Sequence, residues 1–166
     1  GKAYAAGIKE AALPLARLYL RPSDEQDTVR AEKLLREAAG IETDGQASLA
    51  LGNIYRDGLN GEIDMKQAVS WYEKGASQGN PECMEILGCL YFQGEEGVDR
   101  DYAKAFEWLN RCEEAGSLQS ASKLGYLYMK GEGCTADENK AKELFERADS
   151  VLLMEKGRLL KKDAPR

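Results

Sequence analysis

Leu51-Gly52-Asn53-Ile54-Tyr55 returns as Leu87-Gly88-Cys89-Leu90-Tyr91 and again as Leu124-Gly125-Tyr126-Leu127-Tyr128, with a weaker copy at Leu15-Ala16-Arg17-Leu18-Tyr19. The tyrosines step by 36, 36 and 37 residues. A second register pairs an Asp with an Ala four residues later: Asp27 with Ala31, Asp64 with Ala68, Asp101 with Ala105, and Asp137 with Ala141. Three positions beyond each Ala stands a large apolar residue, Leu34, Trp71, Trp108 or Leu144. Three registers of one period point to stacked copies of a single supersecondary unit.

Each unit reads as two helices and a turn. Leu51, Ile54 and Tyr55 lie at i, i+3 and i+4, which makes one apolar stripe on a helix. Gly52, Gly88 and Gly125 interrupt that helix at a cost of about 1 kcal/mol each relative to Ala, so they imply a close helix approach. The pairs Gly58 and Gly61, Gly94 and Gly97, and Gly131 and Gly133 end the first helix and reverse the chain. The recurring Asp then sits where an N-cap belongs, its carboxylate accepting the orphan N–H groups of the second helix. This reading takes the four carboxylates Asp27, Asp64, Asp101 and Asp137 as caps rather than acid/base pairs. Pro81 suits the first turn of the next helix, where its missing N–H costs nothing. Trp71 and Trp108 are expected in the core, where truncation to Ala costs about 3–5 kcal/mol and less if they are partly exposed.

These residues resemble the Sel1-like repeat family, a relative of the tetratricopeptide repeat in which Leu-Gly, Tyr, Gly-x-Gly, Asp, Lys-Ala and Trp recur at these offsets. The match is fullest in Ser48–Asn80 and Pro81–Ser117, good in Leu118–Ser150, and degenerate in Leu13–Asp44, where Arg21-Pro22-Ser23 replaces the glycine turn. The resemblance implies an all-α fold, a right-handed α–α superhelix of helix-turn-helix repeats, acting as an adaptor or scaffold. Repeats are expected at about 8–44 (degenerate), 45–80, 81–117 and 118–150, forming one solenoid over 1–166. Residues 151–166 are then a capping helix or the start of a fifth unit. Lys2–Gly7 aligns with Lys74–Gly79, so the chain is expected to begin inside a repeat of a longer array.

Composition narrows the function. Net charge is −6, from 23 Lys+Arg against 29 Asp+Glu, which disfavours nucleic acid and anionic membranes as partners. The exception is Val151–Arg166, where Lys156, Arg158, Lys161, Lys162 and Arg166 outnumber Glu155 and Asp163, leaving +3 there and −9 elsewhere. It reads as a solvated helix end rather than a binding patch. No apolar run approaches the roughly 20 residues of a transmembrane helix. There is no His, and Cys83, Cys89, Cys112 and Cys134 form no CxxC pair, so no metal site and no cofactor are expected.

The cysteine-rich branch of the resembled family joins helices through C-x7-C pairs; here Cys112 faces Ser120 at that spacing, so the staple is absent. Unpaired thiols favour the cytoplasm over the periplasm. With neither a His base nor a nucleophile motif, no catalytic residue is assigned and the chain reads as non-enzymatic. Tyr4, Tyr19, Tyr55, Tyr91 and Tyr128 read as packing residues. Slow β-lactam hydrolysis, reported for cysteine-rich relatives, lacks its defining staple here.

A protein or peptide partner is therefore expected on the concave face, which this repeat class lines with first-position helices. By analogy with tetratricopeptide repeats, the exposed offsets select Arg17, Leu20 and Arg21, then Asn53, Arg56 and Asp57, then Cys89, Phe92 and Gln93, then Tyr126, Met129 and Lys130. Phe92, Tyr126 and Met129 form an apolar patch that either anchors a partner or packs under a capping helix. The alternative reading is an envelope scaffold for exopolysaccharide assembly or toxin neutralisation.

Overall fold

The computed structural model of the chain describes residues 25–41, 43–117 and 120–149, together with Gly7. The described residues are helices joined by turns: α1 (Glu25–Ala39), α2 (Gln46–Asp57), α3 (Met65–Ser77), α4 (Pro81–Gln93), α5 (Tyr102–Glu114), α6 (Ala121–Lys130) and α7 (138–149). Successive helices pack on one another, which is the α–α solenoid expected of the repeat pattern.

The sequence landmarks turn out to be bonded to one another. Gly58, Gly94 and Gly131 cap α2, α4 and α6 at φ of 64°, 69° and 67°, and their N–H groups donate to the carbonyls of Ile54, Leu90 and Leu127. Positive φ is cheap only for glycine. Past each turn, the N–H of Asp64, Asp101 and Asp137 donates to the carbonyl of the landmark tyrosine, Tyr55, Tyr91 or Tyr128, at 2.9, 2.9 and 3.0 Å. The same Asp side chains then accept from the N–H of Gln67, Lys104 and Lys140, each at 3.0 Å. One residue thus closes the turn with its backbone and starts the next helix with its carboxylate.

The alternation between steps of 36 and 37 has a local cause. The Tyr91-to-Asp101 connection carries one residue more than its counterparts. Gly94 takes ψ 124° where Gly58 and Gly131 take 28° and 27°, and Glu95 and Val98 exchange two backbone hydrogen bonds at 3.0 and 2.8 Å. The extra residue is absorbed in this small bridged loop. The fourth expected cap is corrected: Asp27 lies inside α1, two residues past its start, because the helix there begins earlier than the register implies.

Pro81 is the first residue of α4, and Asn80 caps it by accepting from the Cys83 N–H at 3.1 Å. Asn80 also donates to the Asp44 carbonyl at 3.0 Å, joining two successive inter-unit corners.

The landmark alanines, Ala31, Ala68, Ala105 and Ala141, are all buried. The tryptophans do not occupy the centre of the core. Tyr72 and Leu109, one residue further on, are fully buried, whereas Trp71 and Trp108 are half-buried under Lys74 and Arg111. Amphipathic indole rings suit this border, where one face meets the core and the other meets a cation. Trp71 contacts both the α1–α2 cluster around Leu35, Leu51 and Ile54 and the larger cluster running from Leu49 to Leu144. It therefore bridges the two.

Candidate functional site

Helices α2, α4 and α6 carry the residues expected to meet a partner. Arg17, Leu20 and Arg21 lie outside the described residues. Asn53 is half-buried and its Oδ1 accepts a 2.8 Å hydrogen bond from the Tyr72 hydroxyl, which ties this position to α3. Burial pushes the Tyr72 hydroxyl far above its usual pKa, so it stays a donor. Arg56 forms a two-point ion pair with its neighbour Asp57, at 2.8 and 3.2 Å.

Arg56 and Cys89 meet across a cleft of about 370 Å³ between α2 and α4, lined also by Glu82, Glu85, Ile86, Leu90 and Glu95. Phe92 and Tyr126 meet directly, ring centroids 5.5 Å apart and planes at 78°. Phe92 makes a second edge-to-face contact with Tyr102 at 5.7 Å. Gln93 and Lys130 are exposed nearby, and Met129 is 46% exposed, so this ridge keeps an apolar edge in solvent.

A larger cleft, about 860 Å³, lies where the Asn60–Lys66 segment approaches the Glu95–Gly97 loop of the next unit. It shares Arg56 and Glu95 with the smaller one, so the two are continuous. Ile63 at this edge is 67% exposed between Glu62 and Asp64. The sequence reading did not select Tyr102, Ile63 or the two loops. The one local signal was a pair of aliphatic residues, Leu59 and Ile63, inside a glycine turn whose other side chains are polar.

Burial raises the pKa of the Cys89, Cys112 and Cys134 thiols, which keeps them protonated and weakly nucleophilic. Among the described residues no group of three or more His, Cys, Asp or Glu side chains is placed to hold a metal ion, and no helix is long and apolar enough to cross a membrane.

Comparison with known proteins agrees with this geometry. The Sel1 repeat model matches residues 10–40, 45–80, 81–117 and 118–148. The chain is 38% identical over 89 residues to the ERAD-associated E3 ubiquitin-protein ligase component HRD3B of Arabidopsis thaliana, covering 53% of this chain and 13% of that protein. It spans only 10–18% of the length of four plant and yeast relatives.

Among solved structures it resembles c5321, a protective antigen of uropathogenic Escherichia coli with an SLR fold, at TM-score 0.72 and 26% identity over 90% of this chain and 31% of that one. It also resembles a Sel1 repeat protein from Oxalobacter formigenes, at TM-score 0.67 and 25% identity over 86% of this chain and 58% of that one. Four matched units across most of its length make this chain a member of the Sel1 repeat family, a helical-repeat solenoid of the protein-binding scaffold type.

Proposed function

We propose that this chain is a non-enzymatic adaptor that holds a protein partner along the face of α2, α4 and α6, the concave side of the solenoid. The observation that carries the reading is the Phe92–Tyr126–Tyr102 ridge beside exposed Met129. Aromatic rings locked by their neighbours present a large apolar surface with little entropy left to lose, which is how interface anchors work. Sel1 repeat proteins act as protein-interaction scaffolds, and HRD3B is by its name a component of a larger ligase.

The ridge also sets the choice of test. Truncating Phe92 and Tyr126 together removes two edge-to-face contacts, each worth about 0.5–1.5 kcal/mol, so that pair of substitutions lowers melting as well as binding. Met129→Asp with Gln93→Lys alters exposed positions on the same face. Affinity capture from the source organism, run with wild type beside this variant, should retain a protein that the equally stable variant loses. Equal recovery of that protein by both would remove this face from the binding surface.

A further inference from the structure

We infer that the continuous cleft between the first two complete units holds a basic, amphipathic segment of a partner protein in extended form. The inference rests on the adaptor reading and names the chemistry of the partner. The cleft runs from Ile63 at the turn edge, past Arg56 and Glu95, to Glu82 in the first turn of α4. Glu82 and Glu95 bracket the helix, so the acidic track is about 20 Å long at 1.5 Å per residue. That length takes roughly six residues of extended chain.

Charge decides the occupant. Glu62, Asp64, Glu82, Glu85, Glu95 and Glu96 line the two clefts, against the cations Arg56 and Lys66. Arg56 is already held by Asp57, Asp64 by the start of α3, and Glu85 is faced by Lys123; what remains is Glu62, Glu82, Glu95 and Glu96 against Lys66, an acidic excess. Burial holds the Glu85 carboxyl above its usual range despite Lys123, so a further positive charge there is favourable. Between the carboxylates lie Met65, Ile86 and Leu90, with the exposed Ile63 at the rim. An acidic wall with an apolar floor matches a segment that alternates Lys or Arg with aliphatic side chains, and it repels phosphate-bearing partners.

The test is a fluorescence-anisotropy titration of the full chain with a short synthetic peptide of alternating lysine and leucine. Glu95→Lys with Glu96→Lys should weaken binding about tenfold or more, a loss of about 1.4 kcal/mol. The same charge change placed on exposed α5 and α7 positions, Glu107→Lys with Glu138→Lys, should change it less than about twofold. Equal losses in the two variants would reduce the effect to net charge and overturn the inference. So would equal affinity for a lysine-serine peptide, which has the charge without the apolar side chains.

A synthetic peptide of residues 151–166 that displaces the probe at equal concentration would assign the cleft to the chain's own basic tail instead of a partner protein. Met129→Asp with Gln93→Lys should leave probe affinity unchanged, so a failed capture experiment and a failed cleft remain distinguishable.

Discussion

The ring of Tyr72 lies across the helix surface that Gly52 leaves bare: a Cβ at position 52 would stand 2.3 Å from Tyr72 Cε1. The relationship recurs one unit later, where a Cβ at Gly88 would meet Leu109 Cγ at 2.6 Å, and again at Gly125 against Phe145 at 3.0 Å. Ala in place of a mid-helix Gly ordinarily stabilises by about 1 kcal/mol. Here overlap with a fully buried side chain should cost roughly 1–3 kcal/mol and reverse the sign. Gly52→Ala and Gly88→Ala are therefore expected to lower the melting temperature. Gly125→Ala should do less harm, because Phe145 is half-buried and has room to turn. A Gly52→Ala protein more stable than wild type would refute the packing role.

The recurring glycines, tyrosines and aspartates were legible because each answers a local need: a close approach, a closed turn, a capped helix. The phase of the second helix was not. Leu34-Leu35, Trp71-Tyr72, Trp108-Leu109 and Leu144-Phe145 each offer two adjacent apolar residues, and a 3.6-residue period cannot choose between neighbours. Packing chose Leu35, Tyr72 and Leu109 for full burial and set the tryptophans at the border. The cleft escaped for a different reason. Its walls come from two turns about 35 residues apart, a proximity created by stacking that no local pattern carries.

That phase correction changes the core prediction. Leu109→Ala should cost about 2–5 kcal/mol, as expected of a fully buried leucine under which little can collapse. Trp108→Ala should cost less than full burial of its ring would imply, because part of that surface stays in solvent. Urea unfolding of the two variants gives the order directly, and a larger loss for Trp108 would restore the tryptophans to the core.

Asp101 offers a cleaner measure of the caps. Asp101→Ala should cost about 1 kcal/mol by orphaning the Lys104 N–H, while Asp101→Asn, which keeps an acceptor oxygen, should cost little. The backbone bond from Asp101 to the Tyr91 carbonyl survives both substitutions, so the difference between them isolates the side chain. Equal destabilisation would mean that the charge, not the hydrogen bond, starts α5.

Two glutamates should respond to pH in opposite directions. Burial works against ionisation of Glu32, but the Tyr55 hydroxyl and the Arg36 guanidinium outweigh it and hold the pKa below the ordinary 4.5. Its contribution to stability is present above that value and disappears as pH falls through the depressed folded one. Glu85 is the reverse, its pKa raised by burial, so its ionisation penalises the fold at neutral pH and the penalty vanishes in acid. Glu32→Gln should lower the urea midpoint near neutrality and Glu85→Gln should raise it; the Glu85 difference should fade as pH falls through its raised folded pKa toward 4.5, and the Glu32 difference only below 4.5, as pH falls through its depressed one. Differences that persist in acid would assign the effects to packing.

The cysteines divide a cross-link between two units without completing it in either. Cys83 follows Gly75 by eight residues, and Cys112 precedes Ser120 by the same interval. A Cβ at Gly75 would lie 2.5 Å from Cys83 Sγ, closer than a disulfide holds those two atoms, and would be crowded also by Gly45 and Ser48. At the second site burial raises the Cys112 pKa, and the Ser117 and Ser120 hydroxyls are near enough to oppose it. Ser120→Cys thus brings two thiols together at a position that already tolerates a side chain of similar shape. Under oxidising conditions this variant should form the Cys112-to-120 disulfide and gain roughly 2 kcal/mol, the entropy of closing a short loop, with the gain reversed by reductant. Gly75→Cys should also close, but with a smaller gain because the backbone must first move apart. A Ser120→Cys protein that stays reduced, or melts at the same temperature in both redox states, would show that α5 and the start of α6 sit too far apart for the unit geometry described above.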